Sequence, residues 1–391
     1  MEKKVSLPTT AVLCGLAAVT GAVCCYAALE WSTPAVRMKL RLIDQLVNER
    51  YVGEINDKKI ADYAAIGYLA GIDDPWSAYI SAEDYEAYQL NNEGMNCGIG
   101  VTIVTRSDSI RVRSVYDDSP AQKAGIEEGD YILGAEELTV EKDGADAVVD
   151  AIHGEERTTV RVSIQKNKTN TVEELIMTRE IQTQKIAWSE MKENNVGYLR
   201  LENFHAGAWE QFQNAFGQLV QNDAKALVID VRHNGGGRVQ EMSDILDPLL
   251  PEGTIMTLTT KDGKNTVFSS DSIQIDWPIV VLIDSQSISA AEFFAAALQE
   301  YERATLVGTH TTGKGRAQQT FCLSDGSAVN LSVEQYYTPK GNNLAGVGIA
   351  PDVEVSLSQE QAADFYFLGD EDPQLQKALE LAQNAIYTAE K

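Results

Sequence analysis

Ser289 and Lys314 are the side chains in this sequence best suited to nucleophilic chemistry, separated by 25 positions (289 to 314). An apolar run, Ile279–Ile283, has the length and β-branched composition of a buried strand. The polar cluster Asp284–Ser289 follows, and then Ala290–Leu298, rich in good helix formers. A hydroxyl therefore sits at a strand-to-helix corner, where the first turn of the helix offers unpaired N–H groups and a positive dipole end to an oxyanion. The simpler alternative is that Ser285, Ser287 or Ser289 only caps the helix. Lys314 lies between Gly313 and Gly315, where the chain can pass close to another element. Burial there would make its amine easier to deprotonate and available as a general base. A serine beside a neutral lysine is one form of activated nucleophile.

These segments resemble the carboxy-terminal processing peptidases (tail-specific proteases), a family of serine–lysine endopeptidases that carry a PDZ domain. The family's S-A-S-A-S-E motif lies over Ser287–Glu292, with Ile288 and Ala291 as departures, and its F/T-G-K-G-x-x-Q motif lies over Thr312–Gln318. The resemblance implies that Ser289 is the nucleophile, Lys314 the base and Gln318 the residue that orients the lysine. Asp230–Gly237 resembles the family's D-L-R-x-N-x-G-G and follows a near-continuous apolar run, Ala226–Val231, typical of a strand covered on both faces. By that alignment the backbone N–H groups of Gly236 and Ala290 form the oxyanion hole, whose fixed donors need no reorganisation as charge develops. Asp230 and Arg232 read as a structural pair that shapes the loop.

The elements that must position this chemistry define a multi-domain α+β chain. Residues 1–34 form an expected membrane anchor and 35–93 a helical region, with Leu40, Ile43, Leu46 and Val47 at helical spacing. Asp73–Ile80 interrupts it and resembles the family's L-D-D-P-Y-S-x-Y-L segment. In relatives the surrounding helices help build a dimer, so the resemblance implies a homodimer through N- and C-terminal helices; a plain helical spacer is the competing reading. Residues 94–180 are expected to be a PDZ domain, because Ser119–Leu133 is similar to the S-P-A-x-x-A-G-I-x-x-G-D-x-I core of bacterial PDZ domains. Gly98, Ile99, Gly100 and Val101 would bind a peptide's terminal carboxylate and pair with its backbone, and Asp143–Ile152 would be the helix of the groove. Gly134–Glu137 departs from the usual V-N-G turn. Residues 181–368 would be the α/β (crotonase-like) serine protease core, with Tyr336–Gly341 and Gly346–Asp352 closing it, and 369–391 a C-terminal helix.

Composition narrows the partners. A formal net charge of −26 argues against nucleic acid or an anionic membrane surface as the main partner. Residues 5–29 are uncharged, follow Lys3 and Lys4, and are long enough to span a bilayer with the remainder outside the cytoplasm. A cleaved signal peptide is the competitor, although Tyr26–Ala27–Ala28 is a poor cleavage site. Only Cys97 and Cys322 lie beyond that segment, and no local pattern pairs them. Gly308–Lys314 nearly spells a P-loop, but Gly315 stands where Ser or Thr should bind magnesium, and a strand-like pattern follows. His233 and His310 lie near the proposed site without a pattern to orient them, so a Ser–His–Asp triad is a weaker rival. No cofactor and no metal are expected. The expected function is an extracytoplasmic, membrane-anchored endopeptidase that cleaves proteins with accessible C-termini, gated by its PDZ domain. The alternative is a catalytically silent PDZ scaffold on a protease fold.

Overall fold

The structure, a computed structural model, describes residues 34–389 apart from 273. All but the last residue of the expected anchor therefore lies outside the described residues. Among the described residues no helix is long and apolar enough to cross a membrane. The described residues divide into two compact units, with the boundary between Tyr63 and Ala64. In the first, the helix Pro34–Arg50 exposes Leu40, Ile43 and Leu46. A second helix, Asp57–Ala70, continues into the second unit.

The second unit is built on a six-stranded sheet. Its order is Ala187–Lys192, Val196–Leu201, Ala226–Asp230, Ile279–Ile283, Ala304–Gly308 and Val353–Glu354. The first pair is antiparallel and the others are parallel. Every residue of Ala226–Asp230 and Ile279–Ile283 is buried, because both faces are covered. Alternate side chains divide between two cores. Leu227, Ile229, Val281 and Ile283 meet Phe212, Met242, Phe293 and Phe294 from helices Ala208–Gln221, Val239–Leu246 and Ala290–Glu300. Val228, Val280 and Leu282 face Leu375, Ala378, Leu379 and Ala382 of the helix Pro373–Ala389.

The short antiparallel pair Met95–Gly98 with Glu180–Thr183 and two further large sheets complete the architecture. In one, the long strand Ala328–Tyr337 pairs antiparallel with Gly253–Thr260, Arg316–Cys322 and Ala78–Ile80. The other runs in the order Val101–Thr105, Ile110–Val115, Tyr131–Ala135, Thr159–Gln165, Val172–Thr178, and encloses its own core of Ile99, Ile110, Val112, Ile132, Val148, Val160 and Ile164. Some boundaries differ from the sequence reading, for local reasons. The groove helix begins at Ala145 rather than Asp143, since Gly144 adopts φ 87° and ends the short turn before it. The helix Ala208–Gln221 starts only after Phe204, which bridges to Gly237. Glu136 takes φ 53° where the V-N-G turn was replaced, and its N–H bonds to the carbonyl of Arg161.

Candidate active site

The parallel strand Ile279–Ile283 delivers the chain to the corner that carries Ser289. This residue is the N-cap of Ala290–Glu300, but its backbone (φ 58°, ψ −118°) lies outside the extended region an N-cap normally occupies. A non-glycine residue at positive φ is strained unless its surroundings fix it. Here they do: the Ser289 N–H donates to Glu292 Oε2 at 2.9 Å, and Ser289 is 5% exposed. Its side chain faces the Tyr336 hydroxyl. The other two serines have different fates. Ser287 Oγ donates to the Val231 carbonyl and accepts from the Asp284 N–H, which fastens the turn; Ser285 is exposed.

Glu292 also reaches the lysine loop. Its buried carboxylate accepts from Thr311 Oγ1 (2.6 Å), the Gly313 N–H (2.6 Å) and the Lys314 N–H (2.8 Å). One side chain thus fixes the backbones of Ser289 and Lys314 with charge-assisted bonds. The flanking glycines are needed sterically. A Cβ on Gly315 would fall 2.4 Å from the Ala345 nitrogen, and Gly313, at φ 90°, leaves no room against residues 344–348. Lys314 Nζ donates to Gln318 Oε1 at 2.6 Å and lies 4.9 Å from the centre of the Trp76 ring. Gln318 in turn donates from Nε2 to the Trp76 carbonyl. Burial pushes the Lys314 amine below the ordinary lysine pKa, and the carboxylates of Asp74 and Glu292 only partly oppose it.

Gly236 lies directly against Ser289. A methyl group added to it would meet Ser289 Cβ at 2.9 Å and the Ala290 nitrogen at 3.1 Å. Ala290 is the first helical residue, so its N–H has no intrahelical acceptor. The Gly236 N–H, however, donates to Asn234 Oδ1 at 2.8 Å. To serve an oxyanion it must share or exchange that bond. Behind this loop lies a buried ionic chain. Asp230 accepts from Tyr198 (2.8 Å), Arg200 (3.0 Å) and Arg232 (2.6 Å), and Arg200 also donates to the Arg232 carbonyl (2.6 Å). Burial would raise the Asp230 carboxyl, but the two guanidinium groups outweigh it and hold the pKa far below the usual range.

Residues Gly98, Ile99, Gly100 and Val101 line a cavity of about 650 Å³. Strand Val101–Thr105 is the outermost of its sheet, so one edge is free for a peptide. Gly100 adopts φ 82°, and a Cβ there would collide with Ser119. Trp188, Glu202 and Tyr366 of the larger domain bound the same cavity. Arg113 closes across it, pairing with Glu202 through both guanidinium nitrogens and lying 3.9 Å from the Tyr366 ring centre.

The rival chemistries fare differently. The near P-loop runs into the strand Arg316–Cys322 instead of a helix. His233 does have an orienting partner that the sequence did not reveal: Nδ1 lies 2.6 Å from Asp284 Oδ2, and the ring stacks on Phe365. Among the described residues no histidine hydrogen-bonds Ser289; His310 Nδ1 instead faces the Thr311 carbonyl. Among the described residues no group of side chains is arranged to hold a metal ion, and Cys97 and Cys322 are free thiols. The sequence reading assigned no role to Glu292, Trp76, Asn234 or Tyr336. Glu292 had a local signal in the Ser-x-x-Glu spacing of a capping box, whereas Trp76 is remote in sequence and had none.

Comparison with known proteins identifies the family. Residues 195–355 match peptidase family S41, and residues 97–175 match the PDZ domain. A carboxyl-terminal-processing protease of Synechocystis sp. is 30% identical over 354 residues, covering 88% of this chain and 82% of the relative. A carboxy-terminal-processing protease of Bartonella bacilliformis is 31% identical, over 80% of this chain and 73% of the relative. Among solved structures, a photosystem II D1 C-terminal processing protease aligns with a TM-score of 0.50 and 26% identity, over 81% of this chain and 86% of that one. The chain therefore belongs to the carboxyl-terminal-processing serine proteases of peptidase family S41, with a PDZ domain inserted ahead of the protease core.

Proposed function

We propose that this protein is a serine endopeptidase that works by a Ser289–Lys314 dyad, anchored in the membrane by its N-terminal segment and acting outside the cytoplasm. The observation that carries the reading is the single carboxylate of Glu292, which binds the backbones of both Ser289 and Lys314 while the lysine amine is half-buried and easily deprotonated. In the reaction Ser289 Oγ attacks the scissile carbonyl and passes its proton to neutral Lys314 Nζ, with Gln318 holding the amine. The tetrahedral oxyanion is stabilised by the Ala290 N–H and by the Gly236 N–H once Asn234 releases it. The lysine then gives its proton to the leaving amine, and deprotonates the water that hydrolyses the acyl-enzyme.

The PDZ domain captures an apolar carboxy-terminal tail through residues 98–101 and gates the site. Support for gating is that Arg113, in the peptide cavity, pairs with Glu202, which bonds Arg200 at 3.1 Å and so joins the ionic chain behind the oxyanion loop. Test substrates differing only in their last few residues should be cleaved at different rates by the wild type and not at all by Ser289→Ala. Cleavage that survives in Ser289→Ala removes the dyad. An inactive wild type that still binds the tails leaves the scaffold reading in its place. Equal activity without the PDZ domain removes the gate, and recovery of the full chain in the soluble fraction removes the anchor.

A further inference from the structure

We propose that Trp76 is a positioning residue for the lysine base: its ring covers the Lys314 amine and its carbonyl holds Gln318, so a segment far upstream completes the base's pocket. This inference rests on the Ser289–Lys314 reading.

The segment is held firmly enough for the task. Asp74 is buried, accepts from Ser77 Oγ at 2.6 Å and pairs with Arg316 at 3.5 Å. Ser77 Oγ also accepts from the Ser332 N–H at 3.1 Å. Immediately after it, Ala78–Ile80 pairs antiparallel with Ala328–Asn330, adding a strand to the sheet that contains Gln318. Trp76 is therefore pinned between a carboxylate turn and a strand, with its ring against Lys314 and its carbonyl accepting from Gln318 Nε2. Gln318 has one amide to divide between two tasks. Donating to Trp76 turns Oε1 toward the lysine, and Oε1 accepts from Nζ at 2.6 Å. Without that carbonyl the amide could flip and present its NH₂ group to the amine, which would disfavour the protonated form at the wrong step.

The ring acts on the amine in two opposite ways. Its face attracts a cation, which favours the charged form. Its bulk excludes water, which disfavours it. Burial is the largest influence on Lys314 and lowers its pKa, and the ring is part of what buries it. The charged groups that face the amine are Asp74 from the same segment and Glu292 from the nucleophile helix, and both favour protonation. Arg316 on the adjoining strand is turned to Asp74. With two carboxylates favouring protonation, the cover is the influence that acts toward the neutral amine.

The test is a direct titration of Lys314 by NMR in the full chain, with lysines labelled at the ε-carbon and the signal assigned by its loss in Lys314→Met. Trp76→Ala should raise the Lys314 pKa by about one unit and lower kcat/KM on fluorescein-labelled casein about 10–100-fold. Trp76→Phe should restore both, and Trp76→Leu, which keeps the cover without the ring face, should hold the pKa low. An unchanged titration in a folded Trp76→Ala overturns the proposal, as does a raised pKa in Trp76→Leu equal to that of alanine. The dyad is tested separately by Ser289→Ala: if that variant cleaves casein, the dyad fails whatever Lys314's titration shows.

Discussion

Two shielded cationic sites, the buried Arg200–Arg232 pair and the half-buried Lys314, are treated in opposite ways. Arg200 and Arg232 are almost wholly enclosed and fully paired: Asp230 bridges them, Asp372 meets Arg232 at 2.7 Å, and Glu202 meets Arg200 at 3.1 Å. Burial alone would weaken both guanidinium charges, but these carboxylates outweigh it and hold them above the ordinary range. Lys314 is also shielded from water, yet its nearest polar partner is the neutral amide of Gln318, and burial moves its amine the other way. Full pairing makes a charge permanent and rigid. Shielding with incomplete pairing makes a proton removable. In the proposed mechanism the first shapes the Asp230–Gly237 loop and the second supplies the base, a division that suits arginine to one place and lysine to the other.

The strongest way to break this comparison is to exchange the costs. Lys314→Met should lower kcat/KM by roughly 10⁴-fold or more while leaving the melting temperature unchanged or raised. The sign follows from linkage. A lysine whose folded pKa is lowered destabilises the protein at neutral pH, and stability recovers as pH rises from the folded value toward the unfolded one. For the same reason the wild-type rate should climb with pH as the amine deprotonates, reaching its plateau below the ordinary lysine range; a profile flat from neutral to strongly alkaline pH would contradict an amine base. Asp230→Asn should do the reverse and cost about 3–5 kcal/mol of stability, because two buried guanidinium groups lose their shared partner. Its depressed carboxyl contributes stability that persists through neutral pH and is lost only as pH falls from the unfolded aspartate value toward the folded one. Calorimetry of both variants decides it: a destabilised Lys314→Met beside an unaffected Asp230→Asn would erase the distinction.

Glu292 is an intermediate case, since it is fully buried and its hydrogen-bond partners among the described residues are a hydroxyl and three backbone N–H groups. Glu292→Gln replaces one acceptor oxygen by a donor that would face N–H groups, at a cost of about 1–3 kcal/mol. Activity should fall further than stability, because the same change frees the Ser289 corner from the Lys314 loop. Denaturant titration alongside kcat/KM separates the two, and equal losses would make Glu292 a purely structural residue.

What the sequence disclosed follows the reach of each interaction. Ser289, Lys314 and Gln318 stood out because each sits in a short run whose glycines, hydroxyls and neighbouring strand have local physical reasons. The family and both modules, PDZ and peptidase, were legible for the same reason. The buried strands Ala226–Asp230 and Ile279–Ile283 were readable as unbroken apolar runs. Contacts between distant segments were not. Trp76 meets Gln318 across 242 positions, and nothing in Asp73–Ile80 indicates that its carbonyl faces a glutamine amide. His233 and Asp284 are 51 apart and pair only because parallel strands bring their C-terminal ends side by side. The hydrogen bond from Gly236 to Asn234 was equally hidden, since sequence fixes the loop's residues but not which way an amide points.

The smallest expected effect tests whether the paired network extends to the peptide cavity. Arg113 and Glu202 remain 19% and 16% exposed at their side chains, so water partly screens them, unlike Asp230. A double-mutant cycle of Arg113→Met and Glu202→Gln should therefore give a coupling energy of about 1 kcal/mol in thermal stability. The informative measurement is the same cycle repeated with a saturating peptide ending in an apolar residue. If the pair opens when a tail binds, the coupling should shrink toward zero, and the single variants should cleave tail-less substrates faster than the wild type does. If the coupling is the same with and without peptide, Arg113 belongs to the rigid class of charges together with Arg200 and Arg232, and the gate must act through some other contact.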